Sequence, residues 1–338
     1  LGWSYDDVLP YFRKSENRAG GDPAFRGVGG PAHVSDIHER HPLCEAFVDG
    51  VEALGVPRNP DYNGATQEGV AYYQRTIRNG RRHGAAHAYL RPAMRRANLQ
   101  VASNAFVQRL EIIEGRCTGV HYRRYGRLFF AAARRCVILS AGAIGSPQLL
   151  QVSGVGPGAV LQNIGVPLVH DLPGVGENFR DHYAVRVAHR VTKPVTLNER
   201  ARGLRLGWEI GKWLFSGRGL LAFSPAHVAV FLRSEAHLET PDLQFVFTPA
   251  SYSDGVTGKL QPFPGMTAGV WQMRPESRGY VRATSANPDV PPIIQPNYLD
   301  ASDDQRAVVS GLRWCRRFLQ TAPLVPYRGD ETVPDIEV

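Results

Sequence analysis

Lysine is nearly missing from this chain. It occurs only at positions 14, 193, 212 and 259, so four of the 39 basic residues are lysine and the rest are arginine. The net charge of +8 is spread along the sequence, apart from short groups such as Arg78-Asn-Gly-Arg-Arg82. No lysine-rich tail and no basic stripe interleaved with aromatics occurs, which argues against a nucleic-acid partner. A solvated, arginine-rich surface is the simpler reading. Cysteine is scarce too. Cys44, Cys117, Cys136 and Cys315 form no C-x-x-C pair. That speaks against a disulfide framework or a zinc site and predicts a reducing, cytoplasmic setting. No apolar run reaches the length of an integral membrane segment, and no signal peptide is visible.

Several catalytic patterns are also missing. No G-x-S-x-G is present, which disfavours a serine hydrolase of that type. No H-E-x-x-H is present. His83 and His87 stand four apart, and His38 and His41 three apart, without a third ligand in sight. Surface or partner-bonded histidines are expected at both places, with no metal. No G-x-G-x-x-G occurs. Gly154-Val-Gly-Pro-Gly-Ala159 matches the looser G-x-G-x-x-A. It follows a predicted helix and contains Pro157, so a helix-terminating loop is expected there instead of a dinucleotide turn.

What remains is an ordinary globular composition, 43% hydrophobic and 21% charged, with 35 glycines and 25 prolines that imply many turns. A chain of 338 residues predicts two domains, with three as the alternative. Ser4 and Asp7 mark a capped helix start. Pro42–Leu54 has helical spacing and stops at Gly55. Arg82–Ala97 reads as another helix, broken near Pro92. From Leu99 the pattern turns to strands: Leu99–Ala102, then a meander over Ala105–Ile113, Cys117–Arg124 and Arg127–Ala132, with turns at Glu114-Gly115-Arg116 and Gly126. Cys136–Leu139 reads as a continuous apolar strand of the fully buried kind. Helices are expected over Pro147–Val152, Val160–Ile164, Arg202–Phe215 and Asp303–Gln320, the last with Val308, Leu312, Cys315 and Leu319 on one face. Strands are expected over Ala184–Val191, Ala226–Leu232, Leu243–Thr248, Met266–Met273 and Gly279–Ala283. The fold class is α/β or α+β.

One stretch concentrates small residues: Val137-Ile-Leu-Ser-Ala-Gly-Ala-Ile-Gly-Ser-Pro-Gln-Leu-Leu-Gln-Val-Ser-Gly-Val-Gly156. Ser140-Ala-Gly-Ala143 has almost no side chain, so a flat ligand could approach its backbone. Ser146 is suited to cap a helix and Pro147 to open it. Tight strand-to-helix packing would need the same small residues, and local physics leaves the two readings even. Gly174-Val-Gly-Glu-Asn-Phe-Arg-Asp-His182 is a glycine turn followed by polar residues. Asp181 beside His182 makes no catalytic dyad by itself, because adjacent side chains rarely face one another.

These pieces together resemble the glucose-methanol-choline (GMC) flavoprotein oxidoreductases. Gly142-Ala143, Ser146-Pro147, Leu149-Leu150 and Ser153-Gly-Val-Gly156 match that family's second signature at every fixed position. The resemblance continues through Gly2-Trp-Ser-Tyr with Leu9-Pro-Tyr-Phe, Asp61-Tyr-Asn-Gly64 with Gln67-Glu-Gly69, and Gly80-Arg-Arg82 with Ala88-Tyr-Leu90. It ends with Leu172–Asn178, Asp181-His182, Ser277-Arg-Gly279 and Asn297-Tyr-Leu299. It implies an FAD-dependent enzyme that oxidises an alcohol by hydride transfer to flavin N5, with an unknown electron acceptor. It implies a partial FAD-binding domain and a mainly antiparallel-sheet substrate domain. Residues 1–80 would bridge the two, 81–180 belong to the FAD domain and 181–300 to the substrate domain, and 301–338 return toward the FAD domain. Ser140, Ala141, Gly142 and Ala143 would lie near the flavin, and Val107 would offer its backbone to the adenine.

The departures from the family are as informative. The pyrophosphate-binding glycine turn and the first signature are not found, and neither is the segment with the catalytic histidine. No catalytic residue is assigned, an internal fragment is expected, and FAD binding by these residues alone should be weak or absent. Where choline-type members carry a glutamate, His227 falls, and it suits a quaternary ammonium poorly. After Arg82, Gly84-Ala85 stands where relatives carry a small hydroxyl pair. The alternatives are a choline-type dehydrogenase, or a non-catalytic interaction module that associates through exposed apolar surface.

Overall fold

The computed structural model describes residues 2–222, 224, 226–253 and 258–334. They divide into two units, one of residues 1–99, 184–274 and 306–338, the other of residues 100–183 and 275–305. The first unit is built on a six-stranded sheet. Its order is Arg328–Val333, Ala184–Val191, Gly265–Gln272, Leu243–Thr248, Val228–Leu232 and Gly69–Tyr72. Every neighbouring pair is antiparallel. Alternation along the central strands divides their side chains between two faces. Val228, Val230, Leu232, Phe245 and Phe247 point into the main core, whereas Ala229 and Phe231 join Tyr62 and Ala71 on the other face.

Two helices cover the main core. Pro42–Ala53 buries Leu43, Phe47 and Val51. Its N-cap is His41, whose Nδ1 accepts from Leu43 N at 3.2 Å while Nε2 bonds the carbonyl of Val195 at 3.0 Å. His41 is thus a partner-bonded histidine, as the sequence led one to expect. Helix Ser302–Leu319 supplies Cys315, Phe318 and Leu319 from its later turns. Phe47 stacks on Phe247 at 4.2 Å, and Phe318 meets Phe47 and Phe245 edge-on. Each such buried side chain contributes about 1.5–3 kcal/mol relative to exposure. The capping box at Ser4 forms as predicted, with Asp7 N donating to Ser4 Oγ and Ser4 N to the Asp7 carboxylate.

The second unit holds the three-stranded meander Ala105–Ile113, Arg116–Arg124 and Arg127–Ala132. Its turns fall at Glu114-Gly115 and Tyr125-Gly126, all four residues at positive φ, which matches the twist of a two-residue hairpin. Helix Gly142–Val152 packs beside it, followed by a short parallel pair, Val155–Gly156 with His170–Asp171, and the hairpin Tyr280–Arg282/Ile293–Gln295.

Four expectations need correction. Cys136–Leu139 is not a buried strand. Val137 and Leu139 turn into a cluster with Leu110, Leu149, Val152 and Ala283, while Ile138 is 84% exposed. Only one side of the run is covered, and it belongs to no strand among the described residues. The helix expected over Arg82–Ala97 is shorter. Arg81–Arg82 is a strand, and the helical turns span Ala86–Leu90 and Arg91–Ala93. Leu99–Ala102 forms no strand. The helix expected at Pro147 starts at Gly142, so Ser146 and Pro147 lie inside it and Ser146 is not its cap. Two strands of the main sheet, Gly69–Tyr72 and Arg328–Val333, lacked a sequence signal. The second, Arg-Gly-Asp-Glu-Thr-Val, is too charged to read as a strand and stands at the sheet edge, where charge is tolerated.

Candidate functional site

The small-residue stretch opens helix Gly142–Val152 in an unusual way. Gly142 has φ +82°, a conformation that costs other residues free energy, and a Cβ placed there would meet open space. No side chain caps the helix, and Ser140, Ala141, Gly142 and Ala143 are all exposed. Uncapped amides and a bare backbone therefore face outward at the start of the helix.

The other end of the same stretch is an anchor. Gln151 is fully buried, and its Nε2 donates to the carbonyls of Val175 (3.2 Å) and Val281 (3.1 Å). Its Oε1 accepts from Ala283 N at 2.7 Å. One side chain thereby ties the signature helix to the Gly174–Asn178 turn and to the Tyr280–Arg282 strand. Gly176, at φ +84°, fits under this tie because a Cβ would lie 2.1 Å from Val281 O. Buried Ser153 donates to Leu149 O (2.6 Å) and accepts from Leu110 N (2.8 Å). It thus fixes the helix to the Ala105–Ile113 strand. That strand is the outer one of the meander, and it carries Val107, whose half-buried side chain joins the same cluster as Val137 and Leu139.

A hollow of about 450 Å³ lies where the two motifs meet, lined by Ala143, Ser146, Leu150, Gly176, Asn178 and Phe179 among others. Asn178 sits at φ +58°, a region that asparagine tolerates. The structure thus brings Ala143 to the Gly174–Asn178 turn, a juxtaposition that the spacing in sequence does not reveal.

The remaining motifs of this unit interlock. Asp181 makes two contacts through its carboxylate. Its Oδ1 accepts from His182 N and its Oδ2 from the Tyr298 hydroxyl at 2.6 Å. Asn297, at φ +53°, donates from Nδ2 to Arg278 O. The amides of Glu276 and Ser277 donate to the buried carboxylate of Asp304 at 2.8 Å. Gly154–Ala159 closes as a short strand and a six-residue helix. The amide of Gly158 donates to Asp171 Oδ1, so the donor a dinucleotide would need there is already taken.

His227, in the first unit, is 1% exposed. Burial, with His41, Arg75 and Arg200 nearby, pushes its pKa down to about 4. It is a neutral imidazole near pH 7. His83 and His87 stand 6.2 Å apart by ring centroids, and no metal-holding group of three or more His, Cys, Asp or Glu occurs among the described residues.

For a flavin, these residues fit one side of a planar ring. Gly142 leaves room for it, and the uncapped helix start offers donors to its polar edge. They offer no glycine turn for a pyrophosphate, since the chain contains no G-x-G-x-x-G. Sequence reasoning gave no role to Gln151 or Asp304, and Ser153 entered it only as a fixed position of the signature; the places of Gln151 within the small-residue stretch and of Asp304 in the first turn of a helix were the signals available.

Two family models match the chain, both described as GMC oxidoreductase, one over residues 1–184 and one over residues 275–337. Oxygen-dependent choline dehydrogenases are similar along the whole length. That of Brucella anthropi is 39% identical over 339 residues, covering 100% of this chain and 61% of the relative. That of Photobacterium profundum is 36% identical over 339 residues, covering 100% of this chain and 60% of the relative. The chain therefore spans about three fifths of the curated relatives it matches. Among solved structures, pyridoxine 4-oxidase from Mesorbium loti superposes with a TM-score of 0.85 at 26% identity, over 98% of this chain and 62% of the other. A formate oxidase shares the fold with a TM-score of 0.89 at 23% identity, over 99% of this chain and 64% of that one.

Proposed function

The chain belongs to the GMC oxidoreductase family, and from that premise we propose that it forms part of an FAD-dependent enzyme that oxidises the CH–OH group of a small primary alcohol. The observation that supports this most directly is the start of helix Gly142–Val152. It is uncapped, exposed and free of side-chain bulk, and its Ala143 lines the hollow shared with Asn178. Bound FAD supplies the hydride acceptor. The residues of this chain bind and orient: Ser140–Ala143 offer backbone to the ring system, and Val107 its backbone to the adenine end. Gln151 and Ser153 hold both segments in place. No residue of this chain is assigned as the base. A cytoplasmic setting suits this reading.

The similarity to choline dehydrogenases favours choline as a second reading. His227 argues for a neutral alcohol instead. In the proposed substrate role it stands uncharged, chiefly through burial, with His41, Arg75 and Arg200 lowering its pKa further, and a neutral imidazole offers a cationic substrate no counter-charge. The test is spectroscopic. Protein expressed from the longest reading frame that encodes these residues should show a flavin absorption band that bleaches anaerobically with a neutral primary alcohol, and more readily than with choline. A protein that purifies without flavin and takes up none overturns the proposal. Bleaching by choline alone overturns the substrate class.

A further inference from the structure

Helix Gly203–Ser216 is turned inside out. Its inward face carries Glu209, which is 5% exposed, paired with Arg200 at 2.8 Å and bonded to Leu220 N. It also carries Trp213, whose Nε1 donates to Gly80 O. The apolar residues point the other way: Leu204 is 95% exposed, Trp208 70%, Leu214 64% and Phe215 93%. With Gly207 and Gly211 they occupy positions i, i+3, i+4, i+7, i+10 and i+11, a single stripe about 16 Å long at 1.5 Å per residue. Those polar contacts set the inward face, and leaving four large apolar side chains in water on the other forfeits the burial that ordinarily holds a helix down.

Charge around the stripe is one-sided. From Leu197 to Ala222 the cations are Arg200, Arg202, Arg205, Lys212 and Arg218, and the acids are Glu199 and Glu209, a net +3. Glu209 is held by Arg200, and Glu199 stands 3.6 Å from Arg205. Arg205 and Lys212 flank the apolar stripe at positions i+1 and i+8, and Arg218 follows the helix. Lysine is so rare in this chain that one of its four standing on this flank is notable. An exposed Leu/Trp/Phe stripe flanked by Arg and Lys is the composition of a helix that lies in a membrane interface. Tryptophan suits the headgroup level, and the cations suit anionic lipid.

We propose that Gly203–Ser216 docks this unit onto an anionic lipid bilayer. The helix lies in the plane of the headgroups. Leu204, Trp208, Leu214 and Phe215 enter the acyl boundary, and Arg205, Lys212 and Arg218 meet lipid phosphates. The helix rests on the membrane and does not cross it, since no helix among the described residues is long and apolar enough to span.

Co-sedimentation with phosphatidylcholine vesicles, with and without phosphatidylglycerol, tests this. The 338-residue protein should pellet with the anionic vesicles. Trp208→Ser with Phe215→Ser should weaken that partitioning about tenfold or more, with far-UV circular dichroism unchanged because both residues are exposed. Arg205→Ser with Lys212→Ser should remove the preference for phosphatidylglycerol. Bromine-labelled acyl chains should quench tryptophan emission in the wild type and less in Trp208→Phe. Four results would overturn the proposal. The protein could stay in the supernatant, or Trp208→Ser/Phe215→Ser could bind undiminished. A dimer that Phe215→Ser dissociates, without vesicle binding, would mark the stripe as a subunit contact. Vesicle binding by the 338 residues but not by the product of the longest reading frame would mean that the rest of the protein covers it.

Discussion

Gln151 Nε2 donates to the carbonyl of Val281 at 3.1 Å, and Gly176 fits beneath the contact because it has no Cβ. This relation makes one side chain responsible for three segments far apart in sequence. Gln151→Leu preserves most of the volume but leaves Ala283 N and two carbonyls without their partner. Each stranded buried group costs about 1–3 kcal/mol. We expect a loss of about 3 kcal/mol and a fall of 10 °C or more in the melting of this unit, on the order expected for a domain of its size. Gly176→Ala should be at least as damaging, since it combines a backbone clash with a positive φ. Differential scanning calorimetry checks both, and a Gln151→Leu protein melting with the wild type would remove Gln151 from its anchoring role.

In the first unit Arg26 has the corresponding position for the Asp61-Tyr-Asn-Gly64 motif. Its guanidinium, 4% exposed, donates to Glu16 (2.6 Å), Asp61 (3.1 Å) and Gln74 (2.9 Å). Arg26→Met strands two part-buried carboxylates and should cost about 3–5 kcal/mol. Asp61→Asn keeps an acceptor for the guanidinium and should cost clearly less. Urea denaturation of the two variants gives the ordering, and equal losses would show that the motif is held by something other than this cluster.

His227 makes a prediction about acid. Its pKa is lowered from 6.5 to about 4 on folding, chiefly by burial. Between those values the unfolded chain binds more protons than the folded one. Stability is therefore fully present above pH 6.5 and is lost as pH falls toward 4, by about 3 kcal/mol from this group. His41 and His189 are shifted in the same direction, also first by burial, and steepen the loss. His227→Gln should flatten the profile between pH 6.5 and 4 relative to wild type. Denaturation midpoints across that range decide it, and parallel profiles would mean that His227 titrates normally.

The central strands, the meander with its glycine turns and the capped helices were legible because their periodicity and punctuation are local. Ala184–Val191 and Leu243–Thr248 fall at the predicted bounds. Legibility failed where an element depends on what covers it. Cys136–Leu139 reads as buried on both faces, and only Val137 and Leu139 find a neighbour. The Arg328–Val333 strand is held at the sheet edge by its ladder and by an ion pair from Glu331 to Arg316, beside His189, so a charged side chain stands where an apolar one would have signalled a strand. Of the candidate site, Ser140–Ala143 was legible as a narrow backbone. The tie through Gln151 was not, because a glutamine in a helix looks the same whether it faces water or three buried backbone groups.

That narrow backbone gives the sharpest test of the cofactor assignment. If flavin lies against Ser140–Ala143, bulk added there should exclude it. Gly142→Val adds bulk but also forces a β-branched residue to φ +82°, a strain of about 1–3 kcal/mol. Ala143→Leu adds bulk without that strain, on an exposed helical position lining the hollow. Both should weaken FAD binding about tenfold or more, by the steric logic of overpacking a filled site, while Ala143→Leu melts close to wild type. Gly145→Ala is the control, because its Cβ would approach only the Ala141 methyl, at 3.3 Å. Quenching of flavin fluorescence during titration of each variant, made in the product of the longest reading frame that encodes these residues, measures the effect. Wild-type affinity in Ala143→Leu would place the flavin elsewhere and return the small-residue stretch to a packing role. Loss in Ala143→Leu with retention in Gly145→Ala would tie the ligand to the start of the helix.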